Sequence, residues 1–185
     1  MAMPLASYFS AADVRALPDD GNRYETVHGE LLVTPAPGGW HQAVLAELFD
    51  ELVGYLRPHG LRRQLLWSPA DISYGDDTLV QPDLFVGDTA AFLRSGGNWA
   101  DLTTLYLVIE VLSPSSIRAD RFTKRRLYQE QRIPTYWLVD IDQRQVEVWT
   151  PEAHFPVVER ERLSWRHPAV DAECLIDVRV LFNFD

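Results

Sequence analysis

The sequence is short of lysine. Of its 17 lysine and arginine residues, only Lys124 is lysine. Arginine is a rigid, permanently charged fork, whereas lysine is a compact point charge whose pKa responds to burial. A chain that draws nearly all its positive charge from arginine has little use for lysine as a generic surface cation. Lys124 is therefore a candidate for contact with a single phosphate oxygen or a single water, against the plain alternative of a solvated helix face. Cysteine is equally scarce. One residue, Cys174, excludes an internal disulfide and a thiolate metal cage. His28, His59, His154 and His167 have no zinc-like spacing with it. No apolar run is long enough to predict a membrane span. The opening residues lack the charged and apolar regions of a secretory signal, so a cytoplasmic location is expected. Gly38-Gly39 is not followed by the Gly-Lys-Ser/Thr of a phosphate-binding loop, and Ser113 and Ser115 lack a Gly-x-Ser-x-Gly setting.

Excess positive charge is also missing. The net charge is -10, which argues against broad nonspecific affinity for nucleic acid. The distribution is uneven, because the window from Arg118 to Arg132 carries +4 and the remainder -14. Such an island can hold a phosphate backbone, or it can be an ordinary mixed-charge helix face.

What is present suits one globular domain over residues 1–185, with 46% hydrophobic residues to fill a core. Ser10 caps a short helix that stops before Pro18. Residues 23–37 form a hairpin turning at His28-Gly29. Trp40 to Leu56 is a helix with an apolar stripe at His41, Leu45, Leu48, Leu52 and Leu56. Strands are expected over 64–74, broken by Pro69, and over 79–86. The run 104–112 is nearly all apolar and predicts a central strand covered on both faces. A basic helix follows over 120–132, then strands at 135–140 and 145–150. The tail predicts edge strands near 163–165 and 174–180. Trp67, Trp137 and Trp149 are expected to pack the core. This alternation predicts an α/β (α+β) fold with a mixed central sheet flanked by helices.

Two carboxylates stand where they are costly. Glu110 lies inside the apolar strand, and Asp83 follows Pro82 within the 79–86 strand. A buried carboxylate is paired, protonated or bound to a cation. An arginine from the basic helix could pair with Glu110. Alternatively, Asp83, Glu110 and a backbone carbonyl such as that of Val111 could converge on Mg²⁺ or Mn²⁺, which favour oxygen ligands. Lys124 would then position the attacking water, help to deprotonate it, or offset phosphate charge. Asp120, Lys124 and Tyr128 are spaced i, i+4, i+8 and share one helix face.

Taken together, QPDL at 81–84, VIEVLSPSS at 108–116, DRFTKRRLY at 120–128 and IPTYWLVD at 133–140 resemble the Uma2 family. That family belongs to the PD-(D/E)XK nuclease-like superfamily. The resemblance spans about residues 24–149. It implies a three-layer restriction-endonuclease-like fold, a divalent-metal site and hydrolysis of DNA phosphodiester bonds. Pro82-Asp83 matches the PD element and Glu110 the second acid. Leu112 stands where the superfamily usually has lysine, and Lys124 matches a lysine that such family members carry on the next helix. His41 and Glu30 match family positions that often carry His and Glu, and Gln81 is a further auxiliary candidate. Arg121, Arg125 and Arg126 are candidate phosphate contacts. Cleavage of two strands implies a homodimer. The rival expectation is a catalytically inactive nuclease-fold module that binds nucleic acid or protein.

Overall fold

In a computed structural model, which describes residues 8–184, two sheets and a terminal hairpin surround a core split by the larger sheet. The opening segment, residues 1–7, lies outside the described residues, and so does half of the stretch read as lacking a secretory signal. Among the described residues, no helix is long and apolar enough to cross a membrane.

Helix α1 (Ala11–Arg15) begins at a capping box in which the Ser10 hydroxyl and the Asp13 carboxylate satisfy each other's backbone N–H. Strands β1 (Arg23–Val27) and β2 (Glu30–Thr34) form an antiparallel hairpin. Its two-residue turn places His28 at φ 50° and Gly29 at φ 80°, the double positive φ that matches strand twist in a tight hairpin. Helix α2 (Gly39–Leu56) follows, packed through Val44, Leu48, Leu52 and Leu56.

The segment over 64–74, read as a strand broken by Pro69, does divide around that proline, into β3 (Leu65–Trp67) and β4 (Ile72–Ser73), which belong to different sheets. The segment read as one strand over 79–86 also divides, into β5 (Leu79–Val80) and β6 (Leu84–Gly87). Pro82 has no N–H to give to a ladder, so the chain leaves one sheet at Val80 and joins the other at Leu84. Asp83 therefore stands in the passage between sheets, not within a strand.

Helix α3 (Ala90–Arg94) leads to the central strand β7 (Leu105–Val111). Leu107, Ile109 and Val111 join the core cluster on the α2 side, while Val108 joins the cluster on the opposite face. The expected basic helix comprises a π-helical stretch over Ala119–Lys124 and the α-helix α4 (Arg125–Glu130). Strands β8 (Tyr136–Asp140), β9 (Gln145–Trp149) and β10 (Val157–Glu159) complete the larger sheet, in the order β10-β9-β8-β7-β6-β3. Only β7 and β8 run parallel, so the sheet is mixed, as expected. The smaller sheet runs β2-β1-β5-β4. The tail strands β11 (Arg162–Trp165) and β12 (Cys174–Asp177) pair with each other and do not extend the larger sheet. The short helix α5 (Val178–Leu181) then closes the core beside α2.

Trp137 and Trp149 pack the core as read from sequence. Trp67 does not: it is 53% exposed at the end of a three-residue strand on the sheet edge.

Candidate active site

The pairing of β6 with β7 sets the first contact. Leu84 lies opposite Ile109, so Asp83 falls one step further on, beside Glu110. Asp83 N–H faces Glu110 Oε2 at 3.4 Å, and Val111 N–H donates to Asp83 Oδ2 at 2.9 Å. Both carboxylates are buried.

The basic helix supplies the amine. Asp120, Lys124 and Tyr128 all turn inward and are buried, as their shared face requires. Lys124 Nζ lies 3.0 Å from Glu110 Oε1 and 3.4 Å from Asp120 Oδ1. The Tyr128 hydroxyl donates to the same Glu110 Oε1 at 3.0 Å. The structure thus brings together Asp83, Glu110, Val111, Lys124, Asp120 and Tyr128.

Two further members escaped the sequence reading. Strand β1 runs past the acids, with alternate residues Arg23 and Glu25 facing them. Glu25 Oε2 is 2.8 Å from Lys124 Nζ, and Glu25 Oε1 accepts from Gln81 N–H at 2.6 Å. Arg23 Nη1 donates to Asp83 Oδ1 at 2.7 Å. Period-two alternation with Val27 was the available signal for both.

His41, in the first turn of α2, is 7% exposed and its Nε2 lies 3.0 Å from Asp83 Oδ2. Ionised Asp83 can only accept, so Nε2 carries the hydrogen. That leaves His41 Nδ1 buried without a hydrogen-bond partner.

Other expectations need correction. Glu30 is exposed and lines an outer surface with His28 and Glu130, because it lies on the far side of the hairpin turn. The buried glutamate of this hairpin is Glu25. The Gln81 side chain turns to Asp71, with Nε2 2.9 Å from Oδ1, so only its backbone supports the site. Arg121 is held by Asp140 at 2.6 Å and Glu147 at 2.9 Å. Arg125 bonds to the Arg121 carbonyl and Gln129 and lies 4.7 Å over Trp149. Both are spent inside the protein. Arg126 is exposed and pairs with Glu130 at 2.8 Å.

Electrostatics sort the acids. Burial alone would raise the Asp83 carboxyl, but the His41 hydrogen bond and the Arg23 charge outweigh it and hold it well below the usual range. Burial pushes Glu110 well up, with Asp83, Asp120 and Glu25 adding to it against the opposing Lys124 charge. Burial raises Asp120 as well. Burial would lower the Lys124 ammonium, yet Glu110, Glu25 and Asp120 keep it well above its ordinary value. The three acids thus favour the protonated form of the amine.

A hard divalent cation suits this chemistry. Four buried carboxylates, Glu25, Asp83, Glu110 and Asp120, face two permanent cations, Arg23 and Lys124. With all four ionised, two negative charges would be left over, the number that a dication neutralises, and the raised Glu110 and Asp120 carboxyls reflect that excess. Asp120 Oδ1 is buried without a directed hydrogen bond. A cavity of about 20 Å³ lined by His41, Asp83, Glu110, Val111, Asp120 and Lys124 has room for about one water-sized guest. Among the described residues, however, the side chains meet one another in ion pairs, and no three of them form a ready ligand cage.

A mixed sheet with an acid pair at adjoining strands and a lysine on the next helix has the restriction-endonuclease-like architecture. Among solved structures, one of a putative nuclease belonging to DUF820 from Anabaena variabilis ATCC 29413 superposes with a TM-score of 0.73. That match covers 94% of this chain and 97% of the other at 23% identity. The chain belongs to the Uma2 family, described as "putative restriction endonuclease", whose sequence profile matches residues 11–172. No curated protein matches it.

Proposed function

We propose that this protein, as a single domain over residues 1–185, is an endonuclease that hydrolyses DNA phosphodiester bonds with Mg²⁺ or Mn²⁺. One observation carries the reading: the chain's only lysine is buried 3.0 Å from Glu110, in the element that follows the Glu110 strand. A surface role would have left it in water.

Asp83, Glu110 and the Val111 carbonyl would hold the ion. Bound there, it supplies a Lewis acid for a phosphoryl oxygen and acidifies a water. The rest is done by the chain. His41 and the Val111 N–H fix the orientation of Asp83, and Tyr128 fixes Glu110. Lys124 stays protonated and donates to the attacking water or to charge developing on the phosphate. Arg23, with its side chain 20% exposed, exchanges Asp83 Oδ1 for a phosphate oxygen as substrate arrives. Arg126 is the remaining candidate phosphate contact on the basic helix. Cutting both strands calls for two copies, so the active species is a homodimer, which light scattering would reveal.

The test is plasmid nicking in Mn²⁺ or Mg²⁺. Glu110→Gln and Asp83→Asn are expected to lower the rate by about 10²-fold or more, and calorimetric titration of Mn²⁺ should lose its heat in both. Equal nicking by all three proteins would refute the assignment.

A second reading is a binding module without catalysis. The Arg23–Asp83 ion pair and Leu112 in place of the usual lysine favour it. DNA binding with no metal-dependent cleavage would establish it.

A further inference from the structure

Beside the acids, a cavity of about 300 Å³ opens between α2 and the start of β6. One wall is a single face of α2, formed by Gln42, Leu45, Ala46 and Phe49 at helical spacing. The other holds Trp67 and Ser68, and Arg23 and Asp83 close the inner end. The same two residues also line the small cavity at the acids, so the two spaces adjoin across the Arg23–Asp83 pair.

The composition of the walls is unusual for a merely unfinished core. Trp67 is 53% exposed, and its ring meets Phe49 edge-on with centroids 5.2 Å apart. The Arg62 guanidinium lies 4.8 Å over the Phe49 ring. An aromatic ledge with a cation above it and another at its inner end suits a flat, electron-rich ring joined to a phosphate. In a duplex, bases are stacked on one another and their faces are not offered. Unpaired bases do offer them and stack readily on aromatic side chains.

We infer that this groove takes an unpaired nucleobase, so that the preferred substrate is DNA with a single-stranded segment beside the phosphate at Asp83. The inference rests on the nuclease reading for its ligand class, and it stands on the shared lining of the two cavities for its position. Arg23 reaches the adjoining phosphate, Trp67 and Phe49 receive the base, and Gln42 and Ser68 border it with polar groups.

The test measures binding without chemistry. Fluorescence anisotropy with a labelled 12-nucleotide oligothymidylate, in EDTA, compares wild type, Trp67→Ala and Trp67→Phe, with circular dichroism as a check on folding. A blunt duplex of the same length is the competitor. Wild type should favour the single strand, and Trp67→Ala should weaken that binding by about tenfold. Trp67→Phe should restore most of it, and duplex binding should barely change. Preference for duplex, absence of single-strand binding, or equal binding by Trp67→Ala and wild type would overturn the inference. Cleavage is not read, so single-strand binding by a protein that never nicks DNA would sink the hydrolytic assignment and leave this one standing.

Discussion

Lys124 and Arg126 are two residues apart in one helical segment and have opposite settings. Lys124 is 3% exposed and shared by Glu25, Glu110 and Asp120. Arg126 is 78% exposed and pairs with Glu130 alone. The same kind of charge thus organises a site in one place and solvates a surface in the other. The difference lies in what is left behind when the cation goes. Removing a buried cation strands acids that water cannot reach, while an exposed partner simply rehydrates.

Three substitutions probe that contrast. Lys124→Ala should cost about 3–5 kcal/mol of unfolding free energy, because three carboxylates lose their shared counter-charge. Urea denaturation followed by tryptophan fluorescence measures it, and a loss under about 1 kcal/mol would show that the site is wetter than drawn. Tyr128→Phe removes one donor to Glu110 and should cost about 1–2 kcal/mol in the same assay. Arg126→Ala should shift stability by no more than about 0.5 kcal/mol, with the shift shrinking as salt is added. A salt-independent loss would place Arg126 in a tighter network than its exposure indicates.

Much of this was legible in the sequence, and the reasons can be stated residue by residue. The α2 stripe and the His28-Gly29 turn were legible because local spacing dictates both. Glu110 and Lys124 were legible because each is chemically out of place: an acid in an apolar run, and one lysine among arginines. Arg23 and Glu25 were missed because their alternation with Val27 spans only five residues, and polar residues on both faces do not mark which face is buried. The partners of Arg121, Asp140 and Glu147, lie on later strands, and no local pattern announces such pairings. Pro82 did signal the end of a ladder, yet only the topology reveals that the chain changes sheets there.

That change of sheet has a mechanical consequence. Asp83 hangs from a seam, tied on one side to Val111 in the larger sheet and on the other to Arg23 in the smaller. Any slippage between the two layers tugs this carboxylate directly. Loosening the β1–β2 hairpin, far along the chain from either acid, is therefore felt at the acid cluster as a change of aim.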